Sequence, residues 1–397
     1  MLRLMYIDRI FDLNARVRRK SLLFLGPRQT GKSTLLRHFD KKTLYIDLLD
    51  PDDYLPLTRE PARLKDLIKS HNFSVSHKTV IIDEIQKLPE LMDLVHLMIE
   101  QDKSLRFILT GSSARKLRKG GMNLLGGRAS LQYFFPLVSE ELRLTKGHSR
   151  LWGDLLRLGG LPSVILSDDP WHALKDYVGL YLREEIQAEA LTRSLGNFSR
   201  FLQTAAISNA EQLNYEEVAN DAQLPARTVR DYFQVLEDTL VGCLVPPFNP
   251  KETRKFVATP KFYFFDTGVA NYLTGRKNLA NKTIEYGKAL EHFIFCELRA
   301  YIGINNLDAE IFYCRTQTGR EIDFIIKSED KRIAIEVKSS SSLAQKVLRS
   351  MSSFAEELGI NKKIIVCQEP RKRLTEDGVV VFPVEVFLNA LWQGGVF

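Results

Sequence analysis

Cysteine is scarce in this chain. Its four thiols (Cys243, Cys296, Cys314, Cys367) are scattered through 397 residues, with no CxxC pair and no zinc spacing. That excludes a disulfide scaffold or a zinc module and predicts reduced, structural thiols. Uninterrupted apolar runs of about 18 residues are also missing, so no membrane-spanning helix is expected. The opening MLRLMYIDRIFDLNARVRRK is amphipathic and basic but lacks a continuous apolar stretch, unlike a signal peptide. A soluble cytoplasmic protein without a membrane partner is therefore expected. Repeats and low-complexity tracts are absent, and the length predicts two to four domains. Basic residues are short in the middle of the chain: residues 151–275 carry 11 Lys/Arg against 16 Asp/Glu, whereas residues 1–150 carry 27 against 17. A phosphate-rich partner such as DNA would be drawn first to the N-terminal part, notably to Arg16–Lys20 and Arg115–Lys119.

What is present begins with an apolar strand, Ser21–Leu25, that runs into Gly26, Pro27, Arg28, Gln29, Thr30, Gly31, Lys32, Ser33 and Thr34, followed by the helical LLRHF. Strand, GxxxxGK[ST], helix is the order required of a phosphate-binding loop. The glycines let backbone amides wrap a β-phosphate at a helix N-terminus. Lys32 is expected to reach the β/γ-phosphates of ATP, and Ser33 to hold Mg²⁺. The strand Thr79–Ile82 ends in Asp83 and Glu84, the first placed to bind Mg²⁺ through water and the second to orient the hydrolytic water. A further strand, Leu105–Leu109, ends in Thr110-Gly111-Ser112-Ser113.

Residues 319–338 carry a second constellation. Two β-branched runs, Phe324–Ile326 and Ile333–Ile335, flank a polar KSEDKR turn, which predicts a hairpin. Residues two apart share a strand face, so Glu336 and Lys338 point the same way, and pairing brings Asp323 alongside. Two carboxylates and an ammonium on one spot suit Mg²⁺ or Mn²⁺ with a lysine beside the attacking water. An acidic helix over 285–302, with Glu291, precedes them; Glu297 on the same helix faces well away. Between the two constellations, residues 152–195 have helical periodicity broken by Gly159-Gly160 and Pro162. Two short helices, at 215–219 and 227–233, then precede strands near 240–245 and 261–265, the order of a winged helix. Arg227, Thr228 and Arg230 would face a DNA groove, yet the acidic surroundings favour packing or subunit contact.

The pattern Glu291, Asp323, Glu336-x-Lys338 resembles the PD-(D/E)xK nuclease fold in the version of the Holliday-junction resolvases, although Ile322 stands where the family name has proline. That resemblance implies a four-residue active site of Glu291, Asp323, Glu336 and Lys338, with Glu291, Asp323 and Glu336 as metal ligands. GPRQTGKST, IIDEIQ, LTGSSARKL, LLGGR, FFPLVSEEL, LGGLP and YFFDTG in this order resemble a large prokaryotic family of AAA+ ATPases with a C-terminal domain long left without a function. The resemblance implies an α/β protein with an AAA+ P-loop core (1–145), a helical lid (146–200), a winged-helix domain (201–275) and a restriction-endonuclease-like domain (276–397). It further implies that Thr110 or Ser112 is the residue called sensor 1, that Arg128 is an arginine finger or sensor, and that the chain forms a hexameric ring. Three functions fit: ATP-coupled cleavage of DNA, an NTPase switch or scaffold that binds DNA or protein through a non-catalytic nuclease-like domain, and a loader-type regulator. Branched or forked DNA, in repair, recombination or defence, follows by analogy.

Overall fold

The computed structural model describes residues 6–73, 78–112, 127–145, 151–182, 194–249, 256–329 and 331–397. The basic run Arg115–Lys119, Leu124–Gly126 of the LLGGR motif and part of the helical stretch expected up to residue 195 lie outside them. The chain divides into two compact units, one of Asp8–Phe135 with Asp238–Leu240, the other built from Pro136–Glu237 and Val241–Phe397.

The first unit is organised on a five-stranded sheet: β1 (Ser21–Leu25), β2 (Leu44–Asp47), β3 (Lys78–Asp83), β4 (Leu105–Gly111) and β5 (Ala129–Tyr133). The order is β2-β3-β4-β1-β5, with every neighbouring pair parallel. A parallel sheet is covered on both faces, so its strands read as continuous apolar runs. Leu22–Leu25 and Val80–Ile82 are accordingly all buried. The helix Leu91–Gln101 covers the sheet through Leu91, Val95 and Met98, a stripe at helical spacing. Strand bounds agree closely with the sequence expectation; β4 continues two residues further, through Thr110 and Gly111.

The second unit holds short helices (Trp152–Leu158, Pro162–Ile165, Pro170–Asp176) and then a small antiparallel sheet. Its strands are β6 (Glu211–Gln212), β7 (Gly242–Val245) and β8 (Lys261–Phe264), in the order β6-β8-β7. The helices Tyr215–Ala222 and Ala226–Asp238 lie between β6 and β7 in the chain. Asp266 caps the helix Thr267–Leu273 and accepts a 2.7 Å bond from the Gly160 amide. Burial pushes that carboxyl up to about 6.

A six-stranded mixed sheet follows the long helix Ile284–Asn305: β9 (Glu310–Arg315), β10 (Glu321–Ser328), β11 (Lys331–Val337), β12 (Lys362–Cys367), β13 (Arg373–Leu374) and β14 (Val379–Pro383). Its order is β13-β14-β12-β11-β10-β9. β10 and β11 form the expected hairpin, with Phe324 opposite Ile335 and Ile326 opposite Ile333. The turn is tighter than expected: Lys327 pairs with Arg332 and Ser328 with Lys331 inside the ladder. Ile325, Ala334 and Ile365 pack into one core with the helix Gln345–Glu357. Phe324, Ile333 and Ile335 pack with residues of the helix Ile284–Asn305 on the other side. A register shift between Ile322 and Ile325 interrupts this alternation at Asp323.

Candidate functional site

The phosphate-binding loop is built by β1 and closed by close packing. The Gly26 amide donates to the Gly111 carbonyl, and a Cβ on Gly26 would stand 2.5 Å from the Phe134 carbonyl oxygen, so no larger residue fits. Gln29 and Gly31 both take positive φ, 59° and 94°. Arg9 braces the loop from outside, donating to the carbonyls of Thr30 and Phe135 at 2.8 Å each. Thr30 ties the loop internally by donating to the Pro27 carbonyl at 2.8 Å. Ser33 and Thr34 stand in the first turn of the helix Lys32–Arg37, whose leading amides lack intrahelical acceptors, as at every helix start.

Lys32 is buried and its ammonium donates to the Gly26 and Pro27 carbonyls at 2.7 and 2.8 Å. Burial lowers its pKa to about 8, Glu84 and Asp83 pull it upward, and Arg28 pushes it down. Asp83 accepts from the Tyr45 hydroxyl at 2.5 Å and from the Thr110 hydroxyl. Glu84 has left-handed backbone (φ 60°), a strained geometry of about 1–3 kcal/mol that clusters at functional sites. Its amide donates to Thr110 Oγ1 at 3.0 Å and its carboxylate accepts from Gln86 Nε2. Ser112 Oγ lies 3.3 Å from both Arg28 Nε and Gln86 Nε2. Thr110 therefore ties the Asp83 carboxylate to the Glu84 amide, while Ser112 joins the loop arginine to Gln86. Tyr45, Gln86 and Arg9 were not foreseen, and only Gln86, in the IIDEIQ motif, had any sequence signal.

These residues fit a nucleotide triphosphate and its Mg²⁺. A buried cation, an acid at the end of β3 two strands away, a hydroxyl in the first helical turn and a glycine cradle converge at the C-terminal end of the sheet. Because the free lysine titrates near 8, phosphate affinity should fall about tenfold per pH unit above that value, since a bound anion requires the ammonium. Equilibrium titration with a fluorescent ATP analogue from pH 7 to 10 checks this; a flat profile would contradict it. Arg128 does not join the cluster. It donates to Glu100 and precedes β5, whose Ala129 pairs with Ser21 at the start of β1. It thus lies about six residues of strand, roughly 20 Å, from the loop of its own chain.

The second constellation gathers in the other unit. The Val337 amide donates to Asp323 Oδ2 at 2.8 Å, and the Asp323 amide lies 3.3 Å from Glu336 Oε2. Lys338 Nζ donates to Glu336 Oε1 at 2.5 Å. Glu291 arrives from the helix Ile284–Asn305, and its Oε1 accepts from the Tyr263 hydroxyl at 2.6 Å. At the centre stands a residue absent from the expected set. Lys261 of β8 places its ammonium 2.9 Å from Glu291, 2.6 Å from Glu321 and 3.9 Å from Asp323. Lys261 is only 3% exposed, Asp323 6% and Glu336 7%. Burial first, then the charges of Glu336 and Glu291, push the Asp323 carboxyl well above its usual range. Burial opposes the Lys261 charge, but Glu291 and the other acids hold it protonated.

Of the residues expected to ligate Mg²⁺ or Mn²⁺ here, Glu291 and Asp323 face the Lys261 ammonium, and Glu336, beside Asp323, is engaged by Lys338. Among the described residues no three His, Cys, Asp or Glu side chains form a metal-ligand set. A resident divalent ion does not fit unless Lys261 withdraws. Glu297, as expected, faces elsewhere: it accepts from the Ser139 amide and hydroxyl at 2.8 Å each and from the Trp392 indole at 2.7 Å.

Residues 18–143 match the family described as AAA domain. Together with the loop geometry, this defines a P-loop AAA-type ATPase module on an α/β sheet. Residues 149–280 and 286–387 match two families described as domains of unknown function, DUF8612 and DUF4143. Uncharacterized proteins of Mycobacterium tuberculosis and Mycobacterium bovis are each 26% identical over 391 residues, covering 95% of this chain and 84% of theirs. One of Haemophilus influenzae is 23% identical over 400 residues, covering 92% and 93%. Among solved structures, a signal transduction ATPase with numerous domains (STAND) and a tetratricopeptide repeat sensor, from Pyrococcus horikoshii, aligns with TM-score 0.30 and 13% identity. It covers 76% of this chain, which spans 48% of that protein. The Bacillus subtilis DNA clamp loader delta protein aligns with TM-score 0.23 and 12% identity, over 54% of this chain and 83% of that one. No helix among the described residues is long and apolar enough to cross a membrane.

Proposed function

We propose that this chain is an ATP-hydrolysing switch whose C-terminal part engages a DNA or protein partner without cutting it. The observation that carries the non-catalytic reading is the Lys261 ammonium seated among Glu291, Glu321 and Asp323. At the P-loop, Lys32 and Mg²⁺ would neutralise charge on the β/γ-phosphates while Glu84 orients water, so hydrolysis rests on positioning and electrostatics. We assign a winged-helix role to 201–275 on its helix–helix–hairpin order, and a nuclease-like fold to 276–397 on its helix, three-strand meander and parallel β12. Arg128 acts, in this reading, on the nucleotide of a neighbouring copy in a ring, because its own loop lies at the other end of the strands.

Cleavage of DNA is the second reading, favoured by the convergence of Asp323, Glu336 and Lys338. One experiment separates the two. The protein is incubated with Mg²⁺ or Mn²⁺, with and without ATP, on single-stranded, duplex, forked and four-way DNA. No cleavage is expected. Cutting that Lys338→Ala abolishes, with ATP hydrolysis retained, would overturn the switch reading.

A further inference from the structure

We infer that the edge of the C-terminal sheet where β11 and β12 begin is a binding site for a small phosphate-bearing ligand of nucleotide size. Lys331 and Arg332 open β11, and Lys362 opens β12. The parallel register sets Ile333 beside Lys362, which brings the three cations to one end of the sheet. They line a cleft of about 530 Å³ together with Glu329, Asn361 and Phe397. That volume lies within the range of roughly 300–1,000 Å³ typical of small-molecule sites.

Charge balance marks the cleft out. Several cations of this sheet have an acid at hand: Arg315 with Glu321, Arg320 with Glu357, Lys338 with Glu336, Lys363 with Glu356 and Arg373 with Glu369; Lys327, opposite Arg332 in the ladder, adds a further positive charge close to the cleft. Among the described residues no carboxylate forms an ion pair with Lys331, Arg332 or Lys362. Among the described residues Glu329 is the single acidic side chain in the lining, against three cations. Lys362 feels this crowding: partial burial and the nearby Lys331 both lower its pKa. A phosphate between the two would relieve that repulsion. Arg332 alternates to the other face of β11, its guanidinium 5.5 Å from the centre of the Phe248 ring, and adds positive charge at the rim of the cleft. The Phe397 ring is ordered in advance, stacked on Tyr301 with centroids 5.2 Å apart, and gives the cleft an aromatic wall. A bounded cleft with one aromatic wall suits a compact anion better than a long phosphate backbone, which needs an open basic track.

Tripolyphosphate is the probe. The full chain carrying Lys32→Ala, which suppresses binding at the P-loop, is titrated calorimetrically with and without a short duplex DNA as competitor. Saturable binding is expected, weakened at least tenfold by Lys331→Glu with Lys362→Glu and little changed by Lys331→Arg with Lys362→Arg. Both sites are exposed, and a thermal melt confirms that the variants fold; Lys331→Gln with Lys362→Gln is the fallback, with the same direction expected. Equal affinity in the charge-reversed protein, no binding at all, or binding of the duplex alone would each overturn the proposal.

Discussion

Lys32→Ala should reduce ATP turnover by about 10²–10³-fold, the usual loss when one buried donor to a developing phosphate charge is removed. In the loop the ammonium sits over the carbonyls of Gly26 and Pro27 at 2.7 and 2.8 Å, within the electrostatic reach of Asp83 and Glu84. A phosphate entering the cradle would take over those contacts, so the lysine costs little to reorganise. Alanine keeps the glycine turns and the Thr30–Pro27 tie but leaves the phosphates without their buried cation. Steady-state phosphate release, paired with a thermal melt to confirm folding, is the measurement. A folded variant with full turnover would remove the P-loop assignment.

Sequence made this loop readable because its parts are adjacent: strand, glycines, lysine and helix occupy one stretch of chain, and the acids end a second apolar strand. The hairpin was readable for the same reason, since alternation along two neighbouring runs dictates which side chains meet. Its turn was misjudged because Lys327, Ser328, Lys331 and Arg332 are polar, and polarity alone cannot separate a turn from the exposed end of a ladder. Lys261 was not readable at all. It comes from a strand 62 residues before Asp323, and only the packing of β8 against the helix Ile284–Asn305 brings it to the acids. Glu321, two residues before Asp323, shares its face by the same alternation, so it carried a sequence signal that the nuclease pattern does not include. Thr110 and Ser112 could not be told apart from the sequence. The structure gives the first a contact to the Asp83 carboxylate and to the Glu84 amide, and the second a contact to Arg28.

Lys261→Met is the substitution that should most damage the second unit. It removes the buried ammonium that faces Glu291, Glu321 and Asp323, while the remaining cations, Lys338 and Arg315, are already engaged with Glu336 and Glu321. Breaking a buried charge arrangement from one side costs about 3–5 kcal/mol, because the opposing charges stay desolvated without compensation. The sign with pH follows from which groups must then take protons. In the variant the stranded carboxyls have folded pKa values raised above their unfolded ones, so stability falls as pH rises through the acid range and is regained on acidification. Adding Glu291→Gln to the variant should recover part of the loss, since one uncompensated charge disappears while the Tyr263 hydroxyl keeps an acceptor. Thermal melts of the three proteins between pH 5 and 8 test this, and unchanged stability in Lys261→Met would show that the ammonium is not part of the cluster. The same melts bear on function. If Mn²⁺ raises the melting temperature of Lys261→Met but not of the parent, the acids can take an ion once the lysine is gone. The lysine would then be what separates a closed ion-pair node from a metal-binding one.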